Sequence, residues 1–514
     1  MAVNVSAAGA PRLTGQGRAV LLALCLAALL VRVAAAILFP NIVHQDETFQ
    51  YLEQAHRLVT GTGLLPWEYI VGTRSWLFPG LLAGVIELSR IFGGSPETGQ
   101  AAIVIFMAVL SLAPVVCGFL WGWRFGGLPA AVAVGALNAF WFELIYFSTH
   151  TLSETMAANA LVVGLYLAYP GQGSPRWNRF FLGGLFLGVA LTFRLQLAPA
   201  IAIGVVAICG LSVRARYVPM VLGAVLPILL SGLLDAATWD WPFQSMALNL
   251  WINVKEGVAA QFSKSPPYQY LSLQVTYWSG AFVLIAALAL WGGRRLPVLL
   301  LVAAVIFLTH SALAHKEYRF TYPALPLILT LVGLASAEAA RLLFGGESGR
   351  WARAAMILGV PVFWIGTSLI LARGREFYPL WYRDRGSIEA AHLVNRDAES
   401  CGIAVYPADI WDRGFGYVRL RPGVPIYSYA NGDAVDATRA FNYLVGYKPA
   451  DFSARGYTLL QCWAEPPGRT IAVEPICLWR RPGTCEAGTA PLLTATPPAF
   501  LLRDHPDWFN KAEK

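Results

Sequence analysis

The sequence predicts an α-helical, multi-span membrane protein that ends in a small extracytoplasmic α/β domain. Three observations carry this. Hydrophobic residues make up 56% of the 514 and charged residues only 13%, whereas soluble domains are nearer a quarter charged. The apolar residues fall in continuous runs of about span length rather than alternating, which selects helices over a barrel. From residue 373 the chain turns polar, is punctuated by Pro and Gly, and holds no further span. A net charge of +8 would also suit a nucleic-acid binder. Here Lys and Arg cluster in short loops between apolar runs, the signature of a membrane protein, so the membrane is a partner and nucleic acid is not.

Taken in order, residues 1–18 are basic and free of acids, and form a short cytoplasmic tail. The run 19–38 is too long for the core of a signal peptide and reads as a retained first span. Further spans are expected at 101–121, 128–147, 151–169, 181–193, 197–211, 217–234, 272–291, 297–314, 321–343 and 354–372. That makes about eleven in a domain covering 19–372. The pair 181–193 and 197–211 is too short to cross upright and reads as a broken or tilted pair lining a cavity. With the N-terminus inside, the inside loops collect Arg124, Arg176, Arg179, Arg214, Arg216, Arg294, Arg295, Arg341, Arg350 and Arg353, with no Asp among them. The opposite side receives the loop 39–100, the loop 235–271, the stretch HKEYRF at 315–320 and everything from 373 to 514. This parity satisfies the positive-inside rule.

Within the first outer loop, Phe49, Leu52, Ala55 and Val59 recur at helical spacing, predicting a short amphipathic helix over 46–60. Residues 75–92 read as a helix lying in the interface; as a span they would invert every later loop and put Arg124 and Arg214 outside. In 373–514, SIEAAHLVNRDA predicts a helix, GIAVYP and VPIYSY strands, and ATRAFNYLVGY a second helix. Cys401, Cys462, Cys477 and Cys485 lie there, where disulfides are favoured on an oxidising face; four cysteines allow three pairings.

The chemistry-bearing residues all fall on that outer face. His44, Asp46, Glu47 and Glu53 crowd ten positions beside the end of the first span. Adjacent residues on a helix point apart, so Asp46 and Glu47 divide their labour, one facing a substrate and one anchoring the loop. An acid pair at a helix start also caps it, and that is the plain alternative. In HKEYRF, the cations Lys316 and Arg319 with His315 suit a phosphate at the membrane surface; the plain alternative is a snorkelling anchor. Arg194, between two short apolar runs, needs a lipid phosphate or one of the acids at 46 and 47 as partner. The Trp- and Tyr-rich loop 235–271 reads mainly as an interfacial belt, with a sugar-stacking role open for one or two rings. His150 and Glu154 stand at an outer corner near the same cavity. No P-loop, dinucleotide fingerprint, nucleophile elbow or metal-ligand set is present, so no cofactor or metal is expected.

HQDETFQYLEQAHRLVTGTGLLPWEY followed by TRSWLFPGLLAG resembles the first lumenal loop of the lipid-phosphate-mannose-dependent mannosyltransferases, the GT-C enzymes that extend N-glycan precursors and GPI anchors. HKEYRFTYPALP is similar to the His-Lys-Glu-Glu-Arg-Phe signature of that family, and NLWINVKEG with SPPYQYL resembles its central loop. The resemblance runs from about residue 40 to 330. It implies a GT-C fold and inverting transfer of mannose from a polyprenyl-phosphate donor to a lipid-linked glycan acceptor. Asp46 would then be the base and Glu47 a supporting acid. Lys316 and Arg319, with His315 and Arg194, would hold the donor phosphate. His44, Arg74, His150, Trp241 and Tyr268 are candidate sugar or acceptor contacts. Gln45 and Tyr318 replace a Pro and a Glu of those motifs, and His150 and Gln196 stand where eukaryotic members more often have Arg and Pro. Those departures bear on the acceptor, and the Ala- and Arg-rich composition points to a bacterial member acting on some other glycan, in the inner membrane with its site on the periplasmic face; in a eukaryote the site would face the ER lumen. Two rivals stay open: a flippase for a lipid-linked sugar, which has no need of an acid at 46, and a GT-C transferase of another sugar.

Overall fold

The computed structural model describes residues 13–170, 176–345, 349–407, 413–429, 439–447, 450–466, 474–486, 493 and 497–509. Among them, six helices are long and apolar enough to cross a membrane: Gly15–Leu38, Pro96–Phe140, Val213–Thr238, Gln269–Gly293, Tyr318–Phe344 and Arg350–Ala372. Shorter apolar helices cover Trp177–Phe193, Leu195–Cys209 and Pro297–Ala312. The stretch Pro96–Phe140 turns back on itself at Gly126 and Gly127, where Gly127 has φ of 63°. A Cβ on Gly122 would lie 2.5 Å from the Ala130 carbonyl oxygen, so the two arms meet backbone to backbone. Helix Trp177–Phe193 begins four residues before its apolar run does, because Trp177 to Phe180 wind on past Arg179. At 17 residues it reaches the lower limit of a span.

That helix packs against Val218–Thr238 through small residues. A Cβ on Gly184 would lie 2.0 Å from the Met220 carbonyl oxygen, and one on Gly223 the same distance from that of Phe181. Close backbone approach of this kind drives helix association where lipid removes the hydrophobic advantage. Arg32, buried in Gly15–Leu38, is satisfied by Ser111 Oγ (3.0 Å) and the carbonyls of Ala28 (3.2 Å), Ala139 (2.8 Å) and Asn138 (3.3 Å). An arginine there would otherwise be costly; instead it staples neighbouring helices.

The C-terminal domain is a five-stranded sheet with order β2-β1-β3-β5-β4. Its strands are β1 (Ile403–Tyr406), β2 (Ile426–Ser428), β3 (Tyr443–Tyr447), β4 (Thr458–Trp463) and β5 (Ile476–Arg480). β1 runs parallel to β2 and β3, while β5 runs antiparallel to β3 and β4. Helix Arg385–Arg396 covers one face with Ala390, Ala391 and Val394 against Ile403, Val405 and Ile426. One expectation fails: ATRAFNYLVGY does not form a second helix, because Tyr443–Tyr447 is the central strand. Leu444 packs on one face and Tyr443 and Val445 on the other, so both faces are buried and no alternation marks the strand. Residues 437 and 438 of that stretch lie outside the described residues. Cys462 pairs with its register partner Cys477, and Cys401 with Cys485.

Candidate active site

The first outer loop is pinned at its start. Ile42 N–H donates to the Arg383 carbonyl (3.0 Å). The helix over 46–60 forms, with Glu47–Leu52 as a wider π-type turn running into Glu53–Thr60. Its apolar face is therefore divided. Phe49 joins the core of the C-terminal domain, whereas Leu52 and Ala55 pack against Phe78, Leu82 and Ile103.

Glu47 is the anchoring acid. It is 4% exposed, and its carboxylate accepts from Val43 N–H (2.6 Å) and His150 Nδ1–H (2.8 Å). Burial pushes this carboxyl up, but His150 and those hydrogen bonds outweigh it and the net direction is down. Glu47 therefore holds the loop rather than facing a substrate.

Asp46 points the other way, toward the ledge at 315–320. Its Oδ2 accepts from Arg319 Nη2 at 2.5 Å. His44 sits beside it, with Nδ1 3.4 Å from Asp46 Oδ1 and Nε2 3.3 Å from Glu317 Oε2. Asp46 N–H also lies 3.2 Å from His44 Nδ1. Burial raises the Asp46 carboxyl, and His44, Arg319 and Arg74 together hold it well below the usual carboxylate range. Glu317 is held down likewise, against burial, by Arg319, His315 and His44.

Arg319 is the hub. It is 6% exposed and meets three carboxylates: Asp46, Glu317 through Nε (2.6 Å) and Glu154 (3.5 Å). Arg194, at the corner between Trp177–Phe193 and Leu195–Leu197, meets Glu154 at 3.0 Å and lies over the Phe320 ring at 4.5 Å. Its acid is thus Glu154 rather than Asp46 or Glu47. His315 bridges Ser263 Oγ (2.7 Å) and Glu317 Oε1 (2.8 Å). Lys316 turns aside: its ammonium donates to the carbonyls of Leu313 and Ser265 and ties the ledge to the loop 235–271. One continuous network thus joins Ser263, His315, Glu317, His44, Asp46, Arg319, Glu154 and Arg194.

Arg74 lies on the wall of an adjoining cleft, which Arg194 also lines. Trp241 and Tyr268 do not join the network; they are 43% and 67% exposed, as interfacial aromatics are. Among the described residues, no group of three or more His, Cys, Asp or Glu side chains is placed to hold a metal ion.

Sequence reasoning missed the part taken by the C-terminal domain. Buried Glu53 accepts from Leu64 N–H (2.9 Å) and from Val418 N–H (2.6 Å). A Cβ on Gly416 would come within 2.5 Å of Glu53 Oε1, so only glycine allows that approach. The pair Gly414 and Gly416 was the available signal; Val418 leaves none, since it acts through its backbone. Glu53→Ala is expected to orphan two buried donors at about 1–3 kcal/mol each. It should lower the melting temperature of the solubilised protein and expose 413–421 to protease; an unchanged digestion pattern would show that the contact does not hold the domain.

The Alg9-like mannosyltransferase family model matches residues 23–380. The chain belongs to that family. It is 29% identical to GPI mannosyltransferase 3 of Yarrowia lipolytica over 60% of this chain and 60% of that one. To the GPI mannosyltransferase 3 of Drosophila melanogaster it is 25% identical, over 59% of this chain and 54% of the relative. The matched stretch thus spans little more than half the length of these curated relatives. Among solved structures, ArnT from Cupriavidus metallidurans in the apo state superposes with a TM-score of 0.56 at 12% identity, over 90% of this chain and 98% of that one. The same protein bound to undecaprenyl phosphate gives 0.53. Identity that low speaks to fold alone: the architecture is the multi-span GT-C type.

Proposed function

We propose that the protein is a membrane glycosyltransferase that moves mannose from a polyprenyl-phosphate donor to a lipid-linked glycan, with inversion, on the extracytoplasmic face. The observation that carries this reading is the direct contact between Asp46 of the first outer loop and Arg319 of the ledge, which sets a carboxylate base beside a cluster of cations. Family membership and the curated relatives' names support mannose as the sugar and a GPI-type glycan as the acceptor class. The positive-inside distribution supports the face.

In the reaction, an acceptor hydroxyl oxygen attacks C1 of the sugar as its proton passes to the Asp46 carboxylate. The C1–O bond to phosphate breaks, its electron pair stays on the phosphate oxygen, and polyprenyl phosphate leaves. A base opposite the leaving group is what inversion requires, and cations beside the phosphate stabilise the charge as it develops. Arg319 meanwhile keeps Asp46 ionised and oriented. Purified protein given radiolabelled polyprenyl-phosphate mannose and extracted lipid-linked glycans is expected to yield a labelled glycan lipid and free polyprenyl phosphate. Movement of intact donor across proteoliposomes with no labelled glycan would overturn the proposal in favour of a flippase.

A further inference from the structure

The three cations of the ledge are already committed. Arg319 is shared among Asp46, Glu317 and Glu154; Lys316 is bound to two backbone carbonyls; His315 is spent between Ser263 and Glu317. A phosphate arriving there would have to break contacts that are buried and charge-assisted.

The adjoining cleft offers the opposite situation. Arg74 and Arg194 both line it, and the Nε of each is buried with no hydrogen-bond partner. Arg194 spends one Nη on Glu154. Arg74 makes no ion pair among the described residues, though Asp46 and Glu68 lie within electrostatic reach. Its position is fixed from behind, because Trp239 Nε1–H donates to the Arg74 carbonyl (3.1 Å). Buried guanidinium donors without partners are costly, and two such side chains on the lining of one cavity suit a ligand with several anionic oxygens. Apolar side chains continue the same wall: Leu77 and Phe78 from one helix start, Leu191, Phe193 and Leu195 from the corner at Arg194. The cleft lining thus combines two cations with apolar side chains.

We propose that Arg74 and Arg194 form the clamp for the phosphate of a prenyl-phosphate lipid, with the chain lying along Phe78, Leu191 and Phe193. This deepens the reading above and rests on it for the donor's identity. Arg194 reaches Asp46 through Glu154 and Arg319 in successive contacts of 3.0, 3.5 and 2.5 Å. Arg74 itself lies within electrostatic reach of Asp46, so a phosphate clamped on it leaves Arg319 in place and turns its sugar toward the base. Arg74 is then a donor-binding residue rather than an acceptor contact, and Lys316 is a loop tie.

The test measures binding, not turnover. Full-length protein in nanodiscs is titrated with farnesyl phosphate, farnesol and inorganic phosphate, for the wild type, Arg74→Gln, Arg74→Lys and Lys316→Gln. The wild type is expected to prefer farnesyl phosphate to farnesol. Arg74→Gln is expected to weaken farnesyl phosphate about 10- to 100-fold, the range for a hydrogen bond to a charged group, while leaving farnesol unchanged. Arg74→Lys recovers part of the loss, and inorganic phosphate does not compete. Full affinity in Arg74→Gln with loss in Lys316→Gln would return the phosphate to the ledge and overturn the clamp. Effective competition by inorganic phosphate would overturn the lipid assignment. Failure of glycan transfer would leave these binding results standing, so the two proposals fail separately.

Discussion

Asp46→Asn is expected to lower kcat by about 10²- to 10⁴-fold, the contribution of a positioned general base. The amide is isosteric and keeps an oxygen for Arg319, so the loop stays in place. What it cannot do is take the acceptor's proton as that oxygen bonds to C1. Donor binding should change little, because the proposed clamp holds the phosphate on guanidinium groups and not on Asp46. Single-turnover transfer with labelled donor, read against donor affinity on the same preparation, separates the two effects. Turnover near that of the wild type would remove Asp46 from the base role and leave it as one more partner of Arg319.

Removing the charge of Arg319 carries the largest expected cost to stability. Arg319→Met leaves Asp46, Glu317 and Glu154 around a vacated centre, and breaking a buried ion pair from one side costs about 3–5 kcal/mol. Arg319→Lys keeps the charge but not the fork that meets three carboxylates at once, so it is expected to fold and to show a shifted pH profile. The sign follows from Asp46 and Glu317, both held low in the folded protein. A depressed carboxyl contributes stability that is fully present above its unfolded value of about 4 and is lost as pH falls through the folded one. A base must also be ionised to act. The wild-type kcat/KM should therefore hold into the acid range, and Arg319→Lys should move its acid limb to higher pH. An unmoved limb would mean that Arg319 does not set the Asp46 carboxyl.

What was legible in the sequence was chiefly what composition and side-chain type encode. Apolar runs announced the helices, and the two polar motifs, which the structure joins in one network, stood out because buried charge beside a membrane needs a reason. The divergence of Asp46 and Glu47 followed from helix geometry, but which acid anchors depended on His150, about a hundred residues away, and no local pattern holds that. Lys316 looked like a phosphate ligand by type, yet its direction is set by carbonyls at 265 and 313. Tyr443–Tyr447 read as helix because a strand buried on both faces has no period to show. The contact of Val418 with Glu53 is made by a backbone N–H, which any residue but proline supplies, so sequence is silent on it.

The proposed chemistry needs a prenyl-linked sugar lying between Asp46 and the cationic side chains. A cryo-EM structure of the Asp46→Asn protein with polyprenyl-phosphate mannose tests this most directly, since the variant should hold the donor without consuming it. The expected map places the phosphate on Arg74 and Arg194 and the sugar's C1 facing position 46. A donor bound at the other end of the helices, or with its sugar out of reach of position 46, would contradict the account.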